Sequence, residues 1–120
     1  MKSNELNQLR RGNLLEVDNN YWHVWDIVDN ELYFKENIDY DHLINAEPIP
    51  LTEEWFLKLG FKPDGFGHLY IDEENDYYGF VDRKEKGFML VDCGAENKIV
   101  YIKYVHELQN LYLALTGIEL

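Results

Sequence analysis

Cysteine is nearly missing from this chain: its 120 residues include one, Cys93, and only three prolines. One thiol cannot close an intramolecular disulfide, and neither a CxxC pair nor a zinc-type Cys/His spacing is present, so a reducing, cytoplasmic setting is expected. Cations are scarce as well, with 11 Lys and Arg against 23 Asp and Glu and a formal net charge of −12. Proteins that hold DNA or RNA draw most of their affinity from Lys and Arg neutralising phosphates. Direct nucleic-acid binding is therefore not expected, and a basic protein partner is. No apolar run approaches the ~18 residues needed to cross a bilayer, and residues 1–7 lack the apolar stretch of a signal peptide, so no membrane role is expected. GxSxG, Walker, GxGxxG and HExxH motifs are absent, which points away from an enzyme and from a bound cofactor.

What is present is apolar and aromatic: 46% hydrophobic and 15% aromatic residues mark a folded domain rather than an acidic tail. Asn13 to Val17 reads as a short strand, Asp18-Asn19-Asn20 as a turn, and Tyr21 to Val28 as a second strand. Strict alternation there puts Tyr21, His23, Trp25 and Ile27 on one face and Trp22, Val24, Asp26 and Val28 on the other. Asp29-Asn30 supplies a two-residue hairpin turn into a third strand, Glu31 to Lys35. Residues 36–47 form a loop, and Pro48-Ile49-Pro50-Leu51 an extended edge.

Thr52 is placed to cap a short helix whose first turn holds Glu53 and Glu54, with Trp55 and Leu59 on one face. Gly60 stops it and Phe61 closes the stop. Strands follow near 67–72, 77–82, 87–93 and 97–105, and then a helix near 106–116 in which Leu108, Leu111, Tyr112 and Leu115 keep the helical period. The expected architecture is α+β in a single domain. A small curved, SH3-like antiparallel sheet (residues 1–51) leads through the short helix to an antiparallel meander packed by the C-terminal helix (residues 52–120).

Candidate chemistry is thin. Asp39, Asp41 and His42 offer short-spaced oxygen and imidazole ligands, the basis of an alternative reading as a metal-dependent hydrolase, although a solvated acidic loop with a chance histidine is the favoured explanation. Asp72, Glu74 and Asp76 open like a calcium loop, but Tyr77 stands where the glycine is required and Arg83 where the closing glutamate belongs. Cys93 has no local base to activate it. No catalytic or metal residue is assigned. The acidic clusters remain: Glu36, Asp39, Asp41 and Glu47 in one expected loop, and Asp72, Glu73, Glu74 and Asp76 in another, where a cationic groove could be engaged. Secondary candidates are Arg83, Lys84 and Lys86 at a basic hairpin tip, with the strand aromatics Tyr77 and Tyr78.

Three segments carry a resemblance. Leu9-Arg10-Arg11-Gly12-Asn13, the run Glu47-Pro48-Ile49-Pro50-Leu51-Thr52-Glu53-Glu54-Trp55 continued through Leu59-Gly60-Phe61, and Val105-His106-Glu107-Leu108-Gln109-Asn110-Leu111-Tyr112 through Thr116-Gly117 resemble a family of small uncharacterised proteins. That family is encoded in Bacteroidetes chromosomes, prophages and phages. The resemblance implies a non-enzymatic interaction protein of the host bacterial cytoplasm. It suggests an anti-CRISPR type inhibitor of an RNA-guided nuclease, of type VI or similar, or of its guide complex. A structural or regulatory phage accessory domain is the alternative. The resemblance supplies no catalytic residues, and its shared motifs coincide with helix caps and core.

Overall fold

The computed structural model describes residues 8–17, 19–28, 31–35, 46–73, 76–92 and 100–120. Two antiparallel sheets and a C-terminal helix give the α+β class. The chain divides into two compact units, one built from residues 1–50 with 104–119, the other from 51–103 together with Leu120. Among the described residues no helix is long and apolar enough to cross a membrane.

In the first unit β1 (Leu14–Val17), β2 (Asn20–Val28), β3 (Glu31–Phe34) and β4 (Ala46–Glu47) form a sheet of order β3-β2-β1-β4. Asn19 takes a left-handed conformation, φ 69°, in the turn between β1 and β2, so Asn20 already belongs to the strand. Strict alternation along β2 fails at one point. Val24 pairs with Phe34 but Asp26 pairs with Tyr33, so the register slips at Trp25. An extra residue in one strand reverses the facing of all that follows. Trp22 and Val24 therefore face the core before the bulge and Ile27 faces it afterwards. Trp25 is left 44% exposed beneath the Arg11 guanidinium, 4.8 Å from its ring. The core gathers Leu15, Val17, Val24, Phe34 and Ala46, with Trp22 edge-on to Phe34 at 5.6 Å.

The edge strand, Ala46–Glu47, lies just before the expected extended edge 48–51. Pairing with β1 stops at Ala46 and Glu47, because Pro48 and Pro50 have no N–H to contribute. Beyond it, Val105 N–H donates to the Ile49 carbonyl at 2.9 Å and Pro50 bridges Tyr104.

Helix α2 (Val105–Thr116) joins this same unit, whereas its apolar period suggested a cover for the meander. Glu107 accepts the Tyr104 N–H at 3.0 Å at its start, and Gly117, φ 77°, ends it as the sequence indicates. Its buried stripe is Val105, Leu108, Gln109 and Tyr112, while Leu111 and Leu115 are half-buried. Gln109 is 2% exposed and bonded at both ends of its amide: its Oε1 accepts from Leu14 N at 2.9 Å and Asn13 Nδ2 at 3.4 Å, and its Nε2 donates to the Gly12 carbonyl at 3.2 Å.

The second unit begins with α1 (Glu53–Lys58). Thr52 Oγ1 accepts from Trp55 N at 3.4 Å. Gly60 N donates to Leu57 O at 3.2 Å and Phe61 N to Phe56 O at 2.9 Å, the paired bonds of a Schellman stop. The apolar contact that accompanies this stop is Phe56 on Phe61, ring centroids 5.2 Å apart. Phe56, not Trp55 or Leu59, is the buried residue of the helix, and it also meets Phe80 and Phe88 at 5.3 and 4.8 Å. A five-stranded antiparallel meander follows in chain order: β5 (Lys62–Pro63), β6 (His68–Glu73), β7 (Asp76–Asp82), β8 (Phe88–Asp92) and β9 (Tyr101–Ile102). β5 was not anticipated, because Pro63 removes a donor; as a two-residue edge strand it needs few. A 3₁₀ turn, Lys84–Lys86, joins β7 to β8 and ends at Gly87, φ 96°, where any Cβ would collide with the Ile102 carbonyl.

Gln109→Met keeps the volume but strands the buried Leu14 N–H, and a lost partner of this kind costs about 1–3 kcal/mol. Urea denaturation of the two proteins measures it; a change below about 0.5 kcal/mol would show that the amide is dispensable.

Candidate functional site

Of the acidic candidates, Glu36, Asp39 and Asp41, with the metal-type neighbour His42, lie outside the described residues, as do Glu74 and Cys93. The others occupy strands rather than the expected loops. Glu47 is exposed on β4. Asp72 and Glu73 end β6 and Asp76 begins β7, because the β-forming Leu69-Tyr70-Ile71 and Tyr77-Tyr78 segments carry the ladder outward. Tyr77 and Tyr78 stand opposite Asp72 and Ile71.

The β1–β4 ladder sets carboxylates against one another, Glu47 opposite Glu16, while in the backbone register of β6 and β7 Glu73 is the partner of Asp76. Like charges directly opposite in a ladder are destabilising. Glu16 was not among the sequence candidates; only the register of β1 against β4 brings it to Glu47. Glu47 belongs to the first unit and the Glu73–Asp76 pair to the second.

The basic candidates Arg83, Lys84 and Lys86 are exposed at the β7–β8 connection. Asp82 Oδ1 accepts the Lys84 N–H at 2.8 Å, holding Lys84 at φ 59°, and Lys86 Nζ lies 5.8 Å from the Tyr101 ring.

A second arrangement escaped sequence reasoning. Asp64-Gly65-Phe66-Gly67-His68 connects β5 to β6, and one carboxylate braces it. Asp64 Oδ1 accepts from Phe66 N at 2.7 Å and His68 N at 3.1 Å, while Oδ2 lies 2.9 Å from His68 Nδ1. Asp64 N donates to the His68 carbonyl at 3.0 Å. Gly65 and Gly67 both take positive φ, 83° and 93°. The Phe66 N–H, seconded by His68, holds the Asp64 carboxyl below the usual aspartate value against a smaller opposing effect of partial burial. An Asp two residues before a glycine-flanked aromatic was the available signal. Beside this loop is a hollow of about 210 Å³ lined by Glu53, Pro63, His68, Leu69, Asp82 and Phe88 among others. A wider one of about 400 Å³ adjoins Thr52, Glu53, Asp82, Lys84, Gly87 and Lys103.

Chemically, Asp64 on Nδ1 orients the imidazole and leaves Nε2 outside the brace. Among the described residues no group of three or more His, Cys, Asp or Glu is placed to hold a metal ion. No family model, curated protein or solved structure matches the chain.

Because Asp64 is held below its ordinary 3.8, its contribution to stability is complete above that pH and is lost as pH falls through the lower folded-state value. The Phe66 amide resonance is expected to titrate below pH 3.8 in the native chain and to lose that step in Asp64→Asn. A midpoint at or above 3.8 would show that the brace does not form.

Proposed function

We propose that the protein is a non-enzymatic interaction protein that binds a basic partner through its acidic strand ends, as an inhibitor of an RNA-guided defence nuclease of the type VI kind or of its guide complex. The observation that supports this most is the placing of like charges in register, Glu16 with Glu47, in the first sheet. Folding alone gives no reason for the Glu16–Glu47 pair, whereas a cationic surface that normally holds RNA relieves it. The net charge of −12 favours encounter with that surface over long range. The resemblance of the Glu47–Phe61 and Val105–Gly117 segments to phage and prophage proteins supplies the class of partner.

Glu47→Gln is expected to stabilise the free protein by roughly 0.2–1 kcal/mol while weakening the complex. Thermal unfolding reads the first effect. Calorimetric titration against guide-loaded nuclease at 50 and 300 mM salt reads the second, with affinity falling as salt rises. No nuclease binding at the lower salt removes this function.

A further inference from the structure

Of the eight glycines in the chain, only Gly65 follows an aspartate or an asparagine. An Asp-Gly peptide is chemically labile. The glycine has no side chain to shield its main-chain nitrogen, which is tethered beside the aspartate Cγ at the high effective concentration of an intramolecular nucleophile. The fold leaves this peptide open to water: Gly65 is exposed, a Cβ built on it would meet nothing within 4 Å, and the next residue, Phe66, is 87% exposed.

What opposes the reaction is the brace. Both oxygens of the Asp64 carboxyl are engaged, Oδ1 by Phe66 N at 2.7 Å and His68 N at 3.1 Å, and Oδ2 by His68 Nδ1 at 2.9 Å. Ring closure expels one of the two, so whichever departs takes at least one of these bonds with it. The departing group is a hydroxyl, which only the protonated acid carries, and the Phe66 N–H most of all, with His68 after it, favours the ionised form.

We infer that Asp64-Gly65 is a site of spontaneous isoaspartate formation, kept latent in the folded chain by the hydrogen bonds that Phe66 and His68 make to the Asp64 carboxyl. When the brace opens, the Gly65 nitrogen adds to Cγ of the protonated carboxyl, and the carboxyl hydroxyl leaves with the nitrogen's proton as water. The five-membered succinimide so formed is opened by water at the main-chain carbonyl carbon of Asp64, breaking the bond from that carbon to nitrogen. The chain then runs through Cβ and Cγ, one methylene longer, and the former main-chain carbonyl is the free carboxylate. One water is lost and one gained, so the mass is unchanged. The displaced carboxylate no longer has the reach of the original side chain, and the β5–β6 loop loses its brace for good.

The full chain is kept at about pH 6 and 37 °C, folded in buffer and unfolded in guanidinium, and isoaspartate at position 64 is counted by peptide mass spectrometry with electron-transfer fragmentation, which separates the two isomers. Conversion is expected to be at least roughly tenfold slower in the folded chain, the factor that one charge-assisted hydrogen bond represents. His68→Ala removes a part-exposed side chain and one of the bonds to the carboxyl. With its fold checked by the Phe80 and Leu69 amide resonances, it is expected to raise the folded-state rate roughly tenfold on the same reckoning. A folded native chain that converts as fast as the unfolded one overturns the inference, and that comparison needs no variant to fold. So does an unfolded chain that does not convert, or a folded His68→Ala protein that converts no faster than the native one.

Discussion

The side-chain amide of Gln109 closes the first unit across 95 residues of chain. A glutamine on the buried stripe of an amphipathic helix is costly unless both ends of its amide are bonded. Here they are bonded, to the backbone of Gly12 and Leu14 at the start of β1. Asn13, wholly buried, extends the arrangement by accepting the Arg10 N–H at 2.8 Å and donating to Asn110 Oδ1 at 2.8 Å. Apolar contacts alone would let α2 slide or rotate on the sheet at small cost; directional bonds to particular backbone groups permit one register. The placing of β1, and through its ladders of β2 and β4, follows from that register.

The second unit is organised differently, around rings. Phe56, Phe61, Phe80 and Phe88 come from the short helix, its stop and two strands, and they replace directional bonding with shape. A six-residue helix has little stability of its own. The Thr52 cap, the stop at Gly60 and the single buried Phe56 are what keep it in place. The polar groups of this unit are thereby left to its periphery, where Asp64 shapes one loop and Asp82 another.

Local chemistry made much of this readable in advance. Thr52, Gly60 and Gly117 act through backbone geometry within a few residues, and each behaves as its type dictates. The hairpin partners of β2, β3, β6 and β7 followed from turn residues and alternation. The failures share one cause, information held between segments distant in sequence. A bulge at Trp25 depends on what β3 offers opposite it; the burial of Gln109 in place of Leu111 and Leu115 depends on β1; and the pairing of Glu16 with Glu47 depends on a strand about thirty residues away. The acidic candidates were legible as residues but not as strand residues, because a charge-rich run resembles a loop until its neighbours are paired. The Asp64 brace and the exposure of Phe66 were local and were overlooked, since a glycine-flanked aromatic looks like an ordinary turn.

The first unit is discontinuous, and this sets an order of events during translation. Residues 51–103 form a contiguous stretch whose strands pair with their immediate neighbours, so their contacts are available as soon as the stretch leaves the ribosome. The β1–β2 and β2–β3 pairings of the N-terminal sheet are equally local, but the Leu14 N–H lacks its Gln109 partner until α2 has been made. The insert thus has all its partners within one contiguous stretch, whereas the unit made first is completed only by the helix made last.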